Sequence, residues 1–106
     1  DVKWPDIAKA LLPAGSISGA PKSSAIKSIK QIESVERGPY CGVIGWVEND
    51  QALLSVGIRI FWSLADGQIN FGTGAGITYQ SDPTSEWEET ALKAARLIAI
   101  ASGVSV

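Results

Sequence analysis

Residues 40–78, YCGVIGWVENDQALLSVGIRIFWSLADGQINFGTGAGIT, decide the architecture of this chain. Across them the apolar residues recur with the short period of strands, and the stretch is rich in Val, Ile and aromatic residues. Two polar breaks cut it, Asn49-Asp50 and Asp66-Gly67, the second a strong hairpin signal. The pattern predicts three strands, Tyr40 to Val47, Ala52 to Leu64 and Gln68 to Thr78, joined as an antiparallel meander.

On either side of the meander the period becomes helical. Upstream, Ile7, Ala10 and Leu11 form one stripe of a helix that Pro13 ends. A small-residue loop, Pro13 to Ala20, leads to Pro21, which suits the first position of a helix carrying Ala25, Ile26, Ile29 and Ile32. That helix is expected to reach about Ser34, with Gly38-Pro39 breaking the chain before the strands. Downstream, Asp82-Pro83 opens a helix with Glu86, Glu88 and Glu89 in its first turns, an Ala/Leu/Ile body to about Ala101 and a stop near Gly103. The fold class read from this order is α+β, a three-strand meander flanked by two helices, without internal repeat.

Composition narrows the function classes. The chain has 106 residues, 45% hydrophobic and 19% charged, which is globular rather than disordered and is one domain at most. Its net charge of −2, with both signs scattered, offers no basic face for nucleic acid. No apolar run has membrane-spanning length and no signal peptide is visible. There is no histidine and no methionine, so histidine triads and histidine zinc sites are excluded within these residues. One cysteine, Cys41, cannot form an internal bridge and reads as a small packing residue of a reducing compartment. Asp1 in place of Met fits a fragment or a trimmed chain.

Strand register places chemistry in one row. In an antiparallel pair, facing residue numbers keep a constant sum, so Glu48 facing Gln51 puts Tyr40 opposite Arg59. Ala65 facing Gln68 then puts Arg59 opposite Gly74. Tyr40, Arg59 and Gly74 would line one face, with Gly38, Gly42, Gly57, Gly72 and Gly76 leaving room above the backbone. A guanidinium, a phenol and exposed backbone N–H groups together suit a carboxylate. The alternative is a solvent-facing Arg59 with the glycines marking bulges.

The last helix carries a second group. At about 100° per residue, Glu86, Glu89 and Lys93 share a stripe that continues into Leu97 and Ile100. Two carboxylates there can serve magnesium, which takes one or two protein carboxylates with waters and substrate oxygens. The plainer account is helix chemistry: acids in a first turn, a Ser85–Glu88 capping box and a Glu89–Lys93 pair. The loop Gly15 to Lys22 ends at a helix N-terminus beside a lysine, which could hold an anion or simply enter the helix. It lacks the P-loop spacing, and Gly72 to Gly76 lacks the dinucleotide spacing. The aromatic residues Trp46, Phe61, Trp62, Phe71 and Trp87 read as core or interface packing.

Five stretches together carry a resemblance: PAGSISGAPK (13–22), RGPYCGVIGW (37–46), Gly57-Ile58-Arg59, GTGAGI (72–77) and SDPTSEWEETALK (81–93). In order and spacing they resemble the C-terminal signature of the chorismate-utilising enzymes, the family of anthranilate, aminodeoxychorismate, isochorismate and salicylate synthases. The match covers nearly the whole chain, which would then be one unit, residues 1–106, of the C-terminal portion of a larger anthranilate synthase-like α/β sandwich. One departure is Ser23-Ser24-Ala25-Ile26, where many anthranilate synthases carry a basic residue and then Ala-Met.

The resemblance implies a set of roles. Tyr40, Arg59 and the backbone of Gly74, Ala75 and Gly76 would hold a substrate carboxylate, with Lys93 close to the same substrate end. Ser18 and Gly19 would line the ring side of the pocket. Glu89 would bind Mg2+ with Glu86 as a nearby or water-mediated partner, and Lys22 has no assigned role. The catalytic lysine, the catalytic acid and a further metal glutamate are expected upstream and not in this chain, so the chain by itself would be inactive. Pro39-Tyr40-Cys41 and Trp87 lean toward the aminodeoxychorismate branch, which aminates chorismate to 4-amino-4-deoxychorismate for p-aminobenzoate and folate, using ammonia from a glutamine amidotransferase subunit or domain. The alternatives are an anthranilate-type or isochorismate/salicylate-type enzyme and, from another class, a non-catalytic module that binds a small acid or a protein. A cytoplasmic location is expected, as is self-association through surface that further chain would cover.

Overall fold

The structure, a computed structural model, describes residues 1–103. It is α+β, and the chain divides into two compact units, Asp1–Ile58 and Arg59–Val106. The first holds α1 (Trp4–Leu11), α2 (Gly15–Ser18), α3 (Lys22–Ile32), β1 (Val43–Glu48) and β2 (Gln51–Val56). The second holds β3 (Phe61–Ser63), β4 (Ile69–Phe71) and α4 (Pro83–Ala101). The strands follow the expected antiparallel up-and-down order. The long middle strand, however, is cut in two by residues 57–60, so there are two hairpins, β1–β2 and β3–β4.

In the first unit, α1 starts at Trp4, with Pro5 in its first turn and the Asp6 carboxylate accepting from the Lys3 backbone N–H. The Pro13–Ala20 loop contains the single turn α2. Pro21 caps α3, and its carbonyl accepts from Ala25 N. The Lys22 side chain spans back to α1, where Nζ donates to the carbonyls of Ala10 (2.9 Å) and Leu12 (3.1 Å). A cation at the carbonyl end of a helix satisfies orphan acceptors and complements the dipole. Lys22 is therefore a staple between α3 and α1, and its ammonium is not turned to the loop as an anion ligand.

The β1–β2 ladder runs from Glu48↔Gln51 to Val43↔Val56, in the predicted register. Asn49 takes φ 52° in the turn, a conformation asparagine tolerates. Beyond Val43 the pairing changes. Gly57 N donates to Gly42 O while Cys41 N donates to Gly57 O, so two residues oppose one. Cys41 has φ 65°, which makes this a bulge with its left-handed position filled by cysteine. The extra residue consumes the register that would have set Tyr40 opposite Arg59. Tyr40 instead sits in a turn, its N–H donating to Arg37 O.

The second hairpin is shifted by one residue from expectation. Its pairs are Phe61↔Phe71, Trp62↔Asn70 and Ser63↔Ile69. Asp66-Gly67 does form the turn, but as the end of a longer one. Gly67 N donates to Leu64 O, Gly67 takes φ 76°, and Asp66 Oδ1 accepts from Gln68 N. A turn followed by a left-handed glycine takes one more residue than a two-residue connection, and a one-residue slip changes every facing pair. The ladder stops at Phe71, and residues 72–78 are irregular rather than strand. The Tyr40–Arg59–Gly74 row thus fails at both joints.

Helix α4 is capped by Asp82, whose Oδ2 accepts from Ser85 N and Ser85 Oγ, each at 2.8 Å. Ser85 is the donor in this cap, so the expected Ser85–Glu88 capping box does not form. These bonds, the backbone one first, hold the Asp82 carboxyl below its ordinary value. Among the described residues the buried apolar side chain is Ala94, while Trp46, Leu53, Leu54, Trp87 and Leu92 are exposed.

Candidate functional site

In the first unit, α3 and the turns of residues 35–42 enclose a cleft of about 680 Å³. Ser18 and Tyr40, two of the expected substrate residues, both line it, along with Arg37 and Cys41. The third expected residue of this group, Gly19, directly follows α2 with φ 108°, and a Cβ there would lie 3.1 Å from that of Ala25. The Ser18 hydroxyl donates to Ala14 O, which holds its side chain against α2.

Arg37 frames the cleft. Its Nη2 and Nε donate to the two carboxylate oxygens of Glu33 at 2.6 and 2.9 Å, a bidentate pair across the chain that follows α3. The guanidinium also stands 5.8 Å from the centre of the Tyr40 ring. The Arg37 hydrogen bond lowers the Glu33 carboxyl, and in return Glu33 raises the guanidinium further above its ordinary range. Burial, then the neighbouring Cys41, pushes the Tyr40 phenol up. A phenol in that state keeps its proton at neutral pH and is a donor to an anion.

In the second unit, Arg59 lies outside the β3–β4 ladder, exposed and with φ 52°. A left-handed arginine is uncommon, and such residues gather where the local backbone is tightly determined. Gly74 and Ala75 are partly buried in the irregular segment after β4. At Gly76 an added Cβ would meet nothing within 4 Å, so open space lies above that residue.

On α4 the packed stripe is Glu86, Thr90, Ala94 and Leu97, at helical spacing and with Ala94 its buried centre. Glu86 is therefore partly buried at the head of this stripe. Glu89 and Lys93 lie to one side of it, exposed and joined in an ion pair. Glu86 and Glu89 present hard oxygen donors three residues apart, the donor chemistry magnesium takes. Among the described residues no group of three or more His, Cys, Asp or Glu could hold a metal, so these two would supply only part of a site.

Sequence reasoning missed some polar groups around these residues. Thr73 Oγ1 donates to the Thr90 carbonyl at 3.3 Å, and Thr90 Oγ1 donates to the Glu86 carbonyl at 3.0 Å. Asn70 Nδ2 is buried with no hydrogen-bond partner among the described residues. The available signals were an asparagine between Ile69 and Phe71 and a threonine between two glycines.

The sequence of this chain is similar to that of known proteins. The sequence profile described as chorismate binding enzyme matches residues 1–99. Anthranilate synthase component 1 of Neisseria gonorrhoeae is 41% identical over 93% of this chain and 20% of its own length. The proteins of that name from Aeropyrum pernix and from Synechocystis are 43% and 40% identical, over 80% and 88% of this chain and 20% and 19% of their own lengths. The chain thus spans about a fifth of the length of these relatives. No helix among the described residues is long and apolar enough to cross a membrane. The chain belongs to the chorismate binding enzyme family.

Proposed function

We propose that these residues are part of a longer, magnesium-dependent synthase of the anthranilate synthase component 1 type, acting on chorismate. The observation that carries this reading is the identity of about 40% to proteins of that name, sustained along most of the chain. The exposed apolar residues on β1, β2 and α4 are consistent with cover from further polypeptide. Ammonia would come from a glutamine amidotransferase partner, in the cytoplasm.

Chorismate carries two carboxylates, and the roles divide along them. Arg59 and the Gly74–Gly76 backbone would anchor one carboxylate, and the Tyr40 phenol would serve as a donor to the substrate. Ser18 and Gly19 line the ring side. Glu89 and Glu86 would hold the magnesium ion, which would supply charge neutralisation at the other carboxylate. Lys93 pairs with Glu89 and would lie close to the same end of the substrate.

The second reading is the aminodeoxychorismate branch, favoured by Pro39-Tyr40-Cys41 and Trp87. The two branches differ in the product, since the anthranilate type also eliminates pyruvate. Incubating the complete enzyme with chorismate, magnesium and ammonium and reading product mass separates them. Loss of the enolpyruvyl group is the expected result, and its retention moves the assignment to the second branch. Absence of any product, in an enzyme that binds a small acid, would instead support a non-catalytic module. In the same assay Arg59→Ala is expected to raise the chorismate KM at least tenfold, and Glu89→Gln to weaken the magnesium dependence.

A further inference from the structure

The glycine-rich segment of residues 72–76 and the carboxylates of α4 are separate in sequence, yet a side chain that neither set includes joins them. Thr73 lies between Gly72 and Gly74, and its hydroxyl reaches the Thr90 carbonyl in the middle of α4. Thr90 is held in turn, its own hydroxyl donating to Glu86 O one turn earlier. Both threonines are partly buried, and Ala94, one turn further on, is the buried point of the same stripe. The hydroxyl is thus fixed by packing on its acceptor side, whereas Gly72 and Gly74 on either side of it have no side chains to hold the segment.

We infer that Thr73 is a positioning residue, whose hydrogen bond to Thr90 sets the Gly74–Gly76 backbone at a fixed height above the Glu86 and Glu89 turn of α4. This rests on the roles proposed above for those two sets. A substrate with two anionic groups binds best when its two receptors keep a fixed spacing, because neither then has to be ordered at the moment of binding. Segment 72–78 has no strand ladder to supply that order; Ser81 ties its far end at Thr78, and the Thr73 hydroxyl ties the glycine end. Threonine suits the task because its branched Cβ also restricts χ1.

The test uses the complete enzyme and three variants at this position, with Arg59→Ala and Glu89→Gln in parallel. Thr73→Val keeps the shape and removes the donor, Thr73→Ser keeps the donor, and Thr73→Ala serves if the valine variant fails to fold. Calorimetric titration with chorismate, with and without magnesium, is read beside KM and kcat. The expected result is a roughly fivefold weaker chorismate Kd and higher KM in Thr73→Val, the size of one neutral hydrogen bond. With this go a kcat within twofold, an unchanged unfolding midpoint and recovery in Thr73→Ser. Wild-type Kd and KM in Thr73→Val, or a loss that serine does not restore, would overturn the inference. If Arg59→Ala and Glu89→Gln shift binding and Thr73→Val does not, the inference fails alone. If none of the three shifts it, the proposed function fails as well.

Discussion

The two hairpins use the same left-handed backbone conformation at opposite ends. In β3–β4 it lies at the closed end, where Gly67 completes the turn. In β1–β2 it lies at the open end, where Cys41 forms the bulge opposite Gly57. The first hairpin has six facing pairs and a backbone so close that a Cβ at Gly45 would lie 2.0 Å from the Leu53 carbonyl oxygen. The second has three pairs and a Phe61–Phe71 contact with ring centroids 5.0 Å apart. The long ladder is held by backbone proximity along its length, and the short one by its turn and one aromatic pair. Both end beside residues assigned to the substrate: Tyr40 at the bulge, and the glycine segment just after Phe71.

If that contrast is right, breaking backbone proximity has the largest effect. Gly45→Ala is expected to destabilise the protein by about 3 kcal/mol, the upper range for overpacking, because backbone must move to admit the methyl group. Denaturant unfolding with hydrogen exchange should place the loss in β1–β2 and leave β3–β4 protected. Gly67→Ala meets no atom within 4 Å, so its cost is conformational only, about 1 kcal/mol. Gly67→Asn should recover part of it. Cys41→Gly runs the other way. Removing a Cβ from a left-handed position should stabilise the bulge by about 0.5 kcal/mol, after allowing for the looser unfolded chain. An unchanged or lower unfolding midpoint would show that the cysteine side chain contributes packing that outweighs the strain.

The smallest effect belongs to Glu33. Its carboxyl is held below the ordinary value near 4.5 by Arg37, so its contribution is complete above that value and disappears as pH falls through the lowered one. The pair is partly exposed, so Glu33→Gln should cost no more than about 0.5 kcal/mol at pH 7. The difference between wild type and variant should shrink in unfolding measurements as the pH is lowered below about 4.5.

Some candidate residues were legible as short local patterns. Glu86, Glu89 and Lys93 fall together by helical spacing alone, and the Glu89–Lys93 pair forms as that spacing requires. Ser18 and Tyr40 line one cleft although they lie on different elements; strand register singled out Tyr40, and Ser18 came from its motif. The carboxylate row of Tyr40, Arg59 and Gly74 was the part misread. It depended on the β1–β2 ladder running on unbroken and on a two-residue second turn, but the Cys41 bulge ended the first register and a longer turn shifted the second by one.

By itself the sequence determined α1, α3 and α4, the order of the strands, the β1–β2 register and the family, but not the single turn α2. Each depends on periodicity, on turn residues or on motif spacing, and these act over a few neighbouring residues. The tertiary structure alone decided that Lys22 staples α1 to α3, that Cys41 takes the left-handed place in a bulge, and that Thr73 reaches α4. The two side-chain bonds join residues ten or more positions apart, so they depend on which carbonyl comes within reach of a donor once the elements have packed.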